Sequence, residues 1–302
     1  MELAMIGLGK MGGNMVARLI GGGHRVVAFD LNPEAVKKAG EIGAIGTASL
    51  EEAVQKLKAP RVFWVMVPSG EVTETTIRAL ANLSTPGDVI IDGGNSYYKD
   101  SLRRAAELEA RGIHFVDAGT SGGIWGLKEG YSLMIGGDEA VVRNLSPIFK
   151  TLAPAADHGW GRVGPAGAGH FTKMVHNGIE YGLMQAYAEG FEILHAKKEF
   201  NLDLAQVSEI WRYGSVVRSW LLDLTAGVLK QDATLDDLEA YVPDSGEGRW
   251  TVAEAIDLDV AAPIITLSLE RRIRSRQAAP FSDKLLSAMR NAFGGHAVKK
   301  AK

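Results

Sequence analysis

A chain of 302 residues is long enough for two domains or one large one. Its 46% hydrophobic and 23% charged residues exclude disorder, collagen and coiled coil as descriptions of the whole chain. With 33 basic against 36 acidic residues and no cysteine, nothing implies a nucleic-acid footprint or a basic membrane surface, and disulfides, thiolate zinc sites and cysteine nucleophiles are removed together. A cysteine-free chain suits a reducing cytosol, so the expected location is cytoplasmic. Met1 to Ile6 lacks the basic start of a signal peptide. No run approaches the roughly 18 apolar residues of a spanning helix, so no membrane association is expected. Glycine, 36 of 302 residues, is in excess and falls in short clusters. Such clusters mark sharp turns or close approach to a ligand.

In chain order, residues 2–6 read as a short buried strand. Gly7-Leu8-Gly9-Lys10-Met11-Gly12 follows, then a helix over 14–20 that ends at Gly21-Gly22-Gly23. A second strand covers 25–29 and closes on Asp30. Further alternation follows, with strands over 61–67, 88–92 and 114–117 and helices over 71–82 and 102–111. This alternation predicts a Rossmann-like α/β domain with a mainly parallel sheet. After about Gly164 strand signals vanish. Amphipathic stretches over 170–195, 204–213, 219–229, 250–256, 263–278 and 283–293 predict an all-α C-terminal domain. The expected domains are therefore 1–166, binding a dinucleotide, and 167–302, helical.

Gly7-x-Gly9-x-x-Gly12 sits between a strand and a helix, the context that gives this pattern meaning. The first glycine makes the turn, the second lets a pyrophosphate touch backbone, and the third lets helix pack on strand. Free N–H groups at the helix start then face the anion. Asp30 stands where an acid receives the ribose hydroxyls and would repel a 2′-phosphate, which points to NAD over NADP. The competing reading is a plain tight turn with Asp30 as a helix cap. Val67 and Pro68 follow one strand and Asn95 follows another, in loops that line the ligand crevice of a doubly wound sheet. Asn95 is a candidate for both nicotinamide and substrate, or simply a turn residue after two glycines. Ser121, Gly122 and Gly123 suit a carboxylate or a cofactor amide, with a plain turn as the alternative.

Lys173, His176, Asn177, Glu180 and Tyr181 are spaced to share one helix face. Lys173 and Glu180 lie two turns apart, about 10.5 Å along the axis, too far for a direct helix ion pair. That gap leaves room for a small polyol between a base and an acid. Arg271, Arg272, Arg274 and Arg276 form a late cluster, by default a solvated face, although arginine forks also suit phosphate.

These motifs resemble the decarboxylating 6-phosphogluconate dehydrogenase family, within the β-hydroxyacid dehydrogenases, over nearly the whole chain. The wider-family marks are Gly7-x-Gly9-x-x-Gly12, Ser121-Gly122-Gly123 and Gly167-x-Gly169-x-x-x-Lys173-x-x-x-Asn177. More specific are Ile91-Asp92-Gly93-Gly94-Asn95-Ser96, the run Lys173 to Gly182, Gly246 to Thr251, and the pair Arg290 and His296. The chain departs from the long enzymes in its shorter helical half. It carries Asp30-Leu31-Asn32 where they often have Asn-Arg-Thr, and Ser245 in place of their phosphate-loop lysine.

The resemblance implies oxidative decarboxylation of 6-phosphogluconate with NAD and without a metal. Lys173 would be the general base and Glu180 the general acid. Asn95, Ser121, Gly122, Gly123, His176 and Asn177 would hold the sugar acid, and Tyr181, Arg272, Arg290 and His296 its phosphate. A sibling activity on another 3-hydroxy acid, or a silent dinucleotide-binding module, are the rival readings. A homodimer or homotetramer is expected, because residues 167–302 are too short to wrap their own long helices. Arg290 and His296 come from a neighbouring subunit in the long enzymes, and the same sharing is expected here.

Overall fold

The computed structural model describes residues 1–300. The chain forms two compact units, Met1–Asn177 and Gly178–Lys302. The first contains β1 (Glu2–Ile6), α1 (Lys10–Gly21), β2 (Arg25–Phe29), α2 (Pro33–Glu41), β3 (Ile45–Gly46), α3 (Leu50–Gln55), β4 (Val62–Val65), α4 (Glu71–Leu83), β5 (Val89–Asp92), α5 (Tyr98–Glu109) and β6 (His114–Ser121). A 3-10 turn over Gly123–Trp125, α6 (Gly126–Glu129), β7 (Ser132–Gly137), α7 (Glu139–Leu152) and β8 (Trp160–Gly164) complete the sheet region. The long α8 (Ala168–Ala196) starts in this unit and runs into the next. The second unit adds α9 (Leu204–Trp211), α10 (Trp220–Gln231), α11 (Glu247–Asp257), α12 (Pro263–Ser275) and α13 (Phe281–Gly294).

The sheet has 8 strands in the order β3-β2-β1-β4-β5-β6-β7-β8. All pairs are parallel except β6 with β7. Each strand alternates its side chains between two layers. Leu3, Met5, Trp64, Ile91, Leu133 and Ile135 face α1 and α7. Ala4, Ile6, Val27, Phe63, Val65 and Ile90 face α3, α4 and α5. The strand order reverses between β1 and β4, and the crevice beyond that switch point is where such sheets bind ligands. The expected alternation and the all-helical second half are both observed. Several elements extend past their sequence limits. α1 begins at Lys10, so Lys10, Met11 and Gly12 are its first turn rather than loop. β6 continues to Ser121, because β7 returns antiparallel beside it and supplies ladder partners as far as Ser132.

α2 starts where Asn32 caps it, its side chain accepting from Glu34 N–H, and Pro33 is the first helical residue. The cap is Asn32, which leaves the Asp30 carboxylate to other partners. The second unit has a small core of Phe191, Leu204, Leu222 and Leu229. Many of its large apolar side chains are exposed, including Ile179, Ile193, Ile210, Ile264, Phe281 and Leu286. Among the described residues, no helix is long and apolar enough to cross a membrane.

One buried titratable group ties pH to stability in the sheet unit. His24 is 8% exposed, with Nε2 at 2.9 Å from Thr151 Oγ1. Burial, aided by the charged N-terminus, pushes its pKa below the ordinary 6.5. The unfolded state therefore takes up more protons once the pH falls below 6.5. Its stabilising contribution is complete above that pH and is lost as pH falls through the lowered native value. We expect His24→Gln to flatten the loss of stability between pH 7 and pH 5. Urea unfolding at the two pH values measures this, and an unchanged pH dependence would contradict it.

Candidate active site

The glycine loop is built as the pattern requires. Gly7 adopts φ +95°, and a Cβ there would run into the Met66 carbonyl of the neighbouring strand end. A Cβ on Gly12 would collide with the Gly7 carbonyl. Gly9 differs, because a Cβ there meets nothing within 4 Å. Open space at that one glycine, at the start of α1, fits a pyrophosphate lying against backbone. α1 has no side-chain cap and no acid in its first turn, so its N-terminal amides and dipole are left for an anion. Asp30 Oδ2 accepts the Leu8 N–H at 2.6 Å and Oδ1 accepts the Asn32 N–H at 2.7 Å. The carboxylate thus clamps the glycine loop to the end of β2. Each oxygen has a second lone pair for a ribose hydroxyl. Leu31 beside it is 89% exposed.

Asn95 is exposed at the end of the β5 loop, on a buried ionic base. Asp92 Oδ1 accepts Gly94 N–H at 3.1 Å, and Oδ2 accepts the Ser96 hydroxyl at 2.7 Å and Arg104 Nη1 at 3.1 Å. Arg104 also donates Nε to Glu74 at 2.9 Å. Arg103, with Arg104, holds the Glu74 carboxyl down at about 2. Gly93 lies under Trp64, where a Cβ would be 2.8 Å from the indole Cε2. The loop is folded back on itself by these bonds. Nothing in the sequence pattern marks Arg104 or Glu74, since their partners are distant in the chain. Val67 and Pro68 follow β4, and the Pro68 carbonyl accepts the Thr73 hydroxyl at 2.9 Å.

Lys173 lies in the second turn of α8 and is 6% exposed. Its Nζ is 3.3 Å from His176 Nδ1, which is 3.1 Å from Asn177 Oδ1. An Nδ1–H imidazole can therefore donate its single proton to either a neutral lysine amine or the Asn177 oxygen. The other tautomer presents a lone pair to a lysine ammonium. Ser121 ends β6, and Gly122 has φ +127° at the turn that follows.

In the second unit, Glu180 is half-buried and Tyr181 is 5% exposed. The Arg272 guanidinium stacks 3.5 Å above the Tyr181 ring and donates to the Pro243 carbonyl at 3.1 Å. The Tyr181 hydroxyl accepts Ser245 N–H at 3.4 Å. Ser245 in turn donates its hydroxyl to Glu247 at 2.5 Å, and Glu247 is 3% exposed. Asp244 pairs with Arg249 at 2.8 Å and Arg276 at 3.0 Å, which lowers its pKa, chiefly through Arg249. The late arginines therefore divide. Arg272 joins Tyr181, Arg276 joins Asp244, and Arg274 turns to Asp283 at 2.9 Å. Glu247 and Asp244 were not candidates from sequence. Arg290, on α13, and His296, beyond it, are exposed, and the His296 carbonyl accepts from Asn291 at 2.8 Å.

Comparison with known proteins assigns the chain to a family. Residues 2–161 match the NAD binding domain of 6-phosphogluconate dehydrogenase, and residues 169–280 match the 6-phosphogluconate dehydrogenase C-terminal domain. A Bacillus subtilis chain provisionally described as a 6-phosphogluconate dehydrogenase is 45% identical over 99% of this chain and 100% of its own length. The NAD(+)-dependent, decarboxylating 6-phosphogluconate dehydrogenase of Haloferax volcanii is 42% identical over 99% of each chain. The structure of Plasmodium falciparum 6-phosphogluconate dehydrogenase superposes with a TM-score of 0.83 at 27% identity, covering 100% of this chain and 67% of that one. These matches define a dinucleotide-binding oxidoreductase. The chain belongs to the 6-phosphogluconate dehydrogenase family, in its short form.

Proposed function

We propose that this protein oxidatively decarboxylates 6-phosphogluconate to ribulose 5-phosphate and CO₂ with NAD, as a cytoplasmic enzyme of gluconate use and the pentose phosphate pathway. The observation that carries the reading is the buried Lys173 beside His176, on the helix that presents Glu180 two turns later. NAD, when bound at the glycine loop, supplies the acceptor for the hydride from C3. Lys173 takes the C3 hydroxyl proton as that hydride departs. It then returns a proton to the 3-keto oxygen as the C1 carboxylate leaves as CO₂. Glu180 protonates the resulting enediol at the carbon that carried the carboxylate, substrate C2, which becomes C1 of ribulose 5-phosphate. Separate environments for base and acid suit such a two-stage reaction. Asn95, Ser121, Gly122, Gly123, His176 and Asn177 orient the sugar acid. Tyr181 and Arg272 take the phosphate, joined by Arg290 and His296.

NAD is preferred because Asp30 faces the ribose position and Leu31 offers no cation for a 2′-phosphate. A homodimer, or a tetramer built from it, is supported by the exposed apolar side chains of the helical unit. Every described side chain of α13 is exposed, Phe281, Leu285, Leu286 and Met289 among them. Burying such surface against a second copy removes it from water.

CO₂ release with NADH formation from 6-phosphogluconate is the direct assay. Turnover of a short 3-hydroxy acid in its place, or of neither, would favour the sibling dehydrogenase or the silent module. Lys173→Met is expected to abolish turnover while NADH binding persists, and Glu180→Gln to slow it by roughly 10²–10⁴-fold. Near-normal turnover in Lys173→Met would sink this mechanism. For the cofactor, kcat/KM with NAD should exceed that with NADP by about tenfold or more, equivalent to about 1.4 kcal/mol. Equal values would refute the role of Asp30. For the assembly, sedimentation should give a dimer or its multiple. Hybrids of inactive Lys173→Met and Arg290→Ala chains should regain activity, and hybrids that form but stay inactive would place Arg290 within its own subunit.

A further inference from the structure

We infer that Asp117 and Gly119, on one face of β6, are positioning residues that set where Lys173 stands. Alternate positions of a strand share a face, so Asp117, Gly119 and Ser121 all point the same way. Two strand residues advance about 6.8 Å, close to the 5.4 Å of one helical turn. The α8 backbone takes up this match turn by turn. Asp117 is fully buried, and its carboxylate accepts Gly167 N–H at 2.6 Å and His170 N–H at 2.7 Å, at the start of the helix. His170 is itself fixed from α5, with Nδ1 at 2.7 Å from Ser101 Oγ.

One position further along the face, Gly119 has no room for a side chain. A Cβ there would stand 2.5 Å from Lys173 Cβ and 2.6 Å from the Gly169 carbonyl. Both obstacles are backbone or the stem of the lysine itself, so neither can rotate aside. Gly169 is equally tight, with a Cβ 2.5 Å from the carbonyls of Asp117 and Met134. Gly136 on β7 leaves space for the Asp117 carboxylate and the helix start, since a Cβ there would be 2.7 Å from Gly169 N. The carboxylate prevents α8 from sliding along β6, and the bare glycines fix its distance from the sheet. The lysine stem is thereby held at van der Waals contact with β6.

This inference rests on the reading of Lys173 as the base. The test uses the full-length enzyme with Gly119→Ala, Asp117→Asn, the reference variant Lys173→Met and a control, Gly22→Ala. The control adds a comparable crowding at the far end of α1, where a Cβ would be 3.0 Å from Thr151 Oγ1. A displacement of about 1 Å at a reacting group can lower turnover about 10²-fold. Gly119→Ala should show that loss in kcat, with KM for NAD and NADH affinity held within about twofold. Asp117→Asn, which turns one acceptor into a donor facing an N–H, should move kcat in the same direction. Gly22→Ala should lose thermal stability but keep its kcat. If Gly119→Ala does not fold, Asp117→Asn decides. Wild-type kcat in the folded β6 variants, or a kcat loss matched by loss of NADH binding, would overturn the positioning role. Activity in Lys173→Met would instead remove the reading beneath it.

Discussion

The candidate base depends on the close approach of α8 to β6 and β7. The approach is possible because Gly119, Gly136 and Gly169 put no side chains into the contact. It is secured because a fully buried carboxylate, Asp117, takes two of the amide groups that a helix start leaves unsatisfied. A charge buried there is tolerable only because it is hydrogen-bonded. Packing alone would permit the helix to shift along a smooth glycine surface. The two directional bonds remove that freedom, so steric and electrostatic constraints act along different axes.

The same device recurs in the loops after β2 and β5. Asp30 ties the glycine loop to the end of β2 through the Leu8 and Asn32 amides. Asp92 folds the Asn95 loop back through Gly94 and Ser96, and is itself held by Arg104. In each case a carboxylate at the C-terminal end of a parallel strand organises the loop that follows. Loops carry little apolar surface of their own to hold their shape, and charge-assisted bonds to backbone N–H groups supply that rigidity. The ionic pair beneath Asn95 also has an energetic consequence. Removing one partner of a buried pair costs about 3–5 kcal/mol, because the other charge is left unpaired. The loop is thus coupled to the stability of α4 and α5 as well as to the site.

The helical unit is organised differently. Its buried apolar core is small, and much of its apolar surface faces outward. Around Tyr181 the order is polar. Arg272 lies over the ring, Ser245 donates to the hydroxyl, and Asp244 gathers Arg249 and Arg276. Stacking of a guanidinium on an aromatic face fixes its plane while leaving edge donors available. The loop that carries Ser245 in place of a lysine is therefore not poor in cations, but two of its arginines are already engaged by Asp244.

Periodicity and glycine spacing in the sequence determined the α/β and all-α halves, the dinucleotide loop and the polar stripe of α8. These are local properties, written in residues within a turn or a strand of one another. Hence the turn at Gly7, Gly9 and Gly12, the place of Asp30 at the end of β2, and most strands and helices were legible. Family likeness added the arginine and histidine candidates. The extension of β6 to Ser121 was not legible, because its ladder partner β7 lies beyond the intervening turn and helix. Nor were Asp117, Arg104, Asp244 and Glu247, whose polar types are common at surfaces. Their importance arises only when burial removes water and a distant residue becomes the hydrogen-bond partner. Only the tertiary structure decided that Gly119 abuts Lys173, since a strand position and a helix position 54 places apart in the chain are brought into van der Waals contact by the fold.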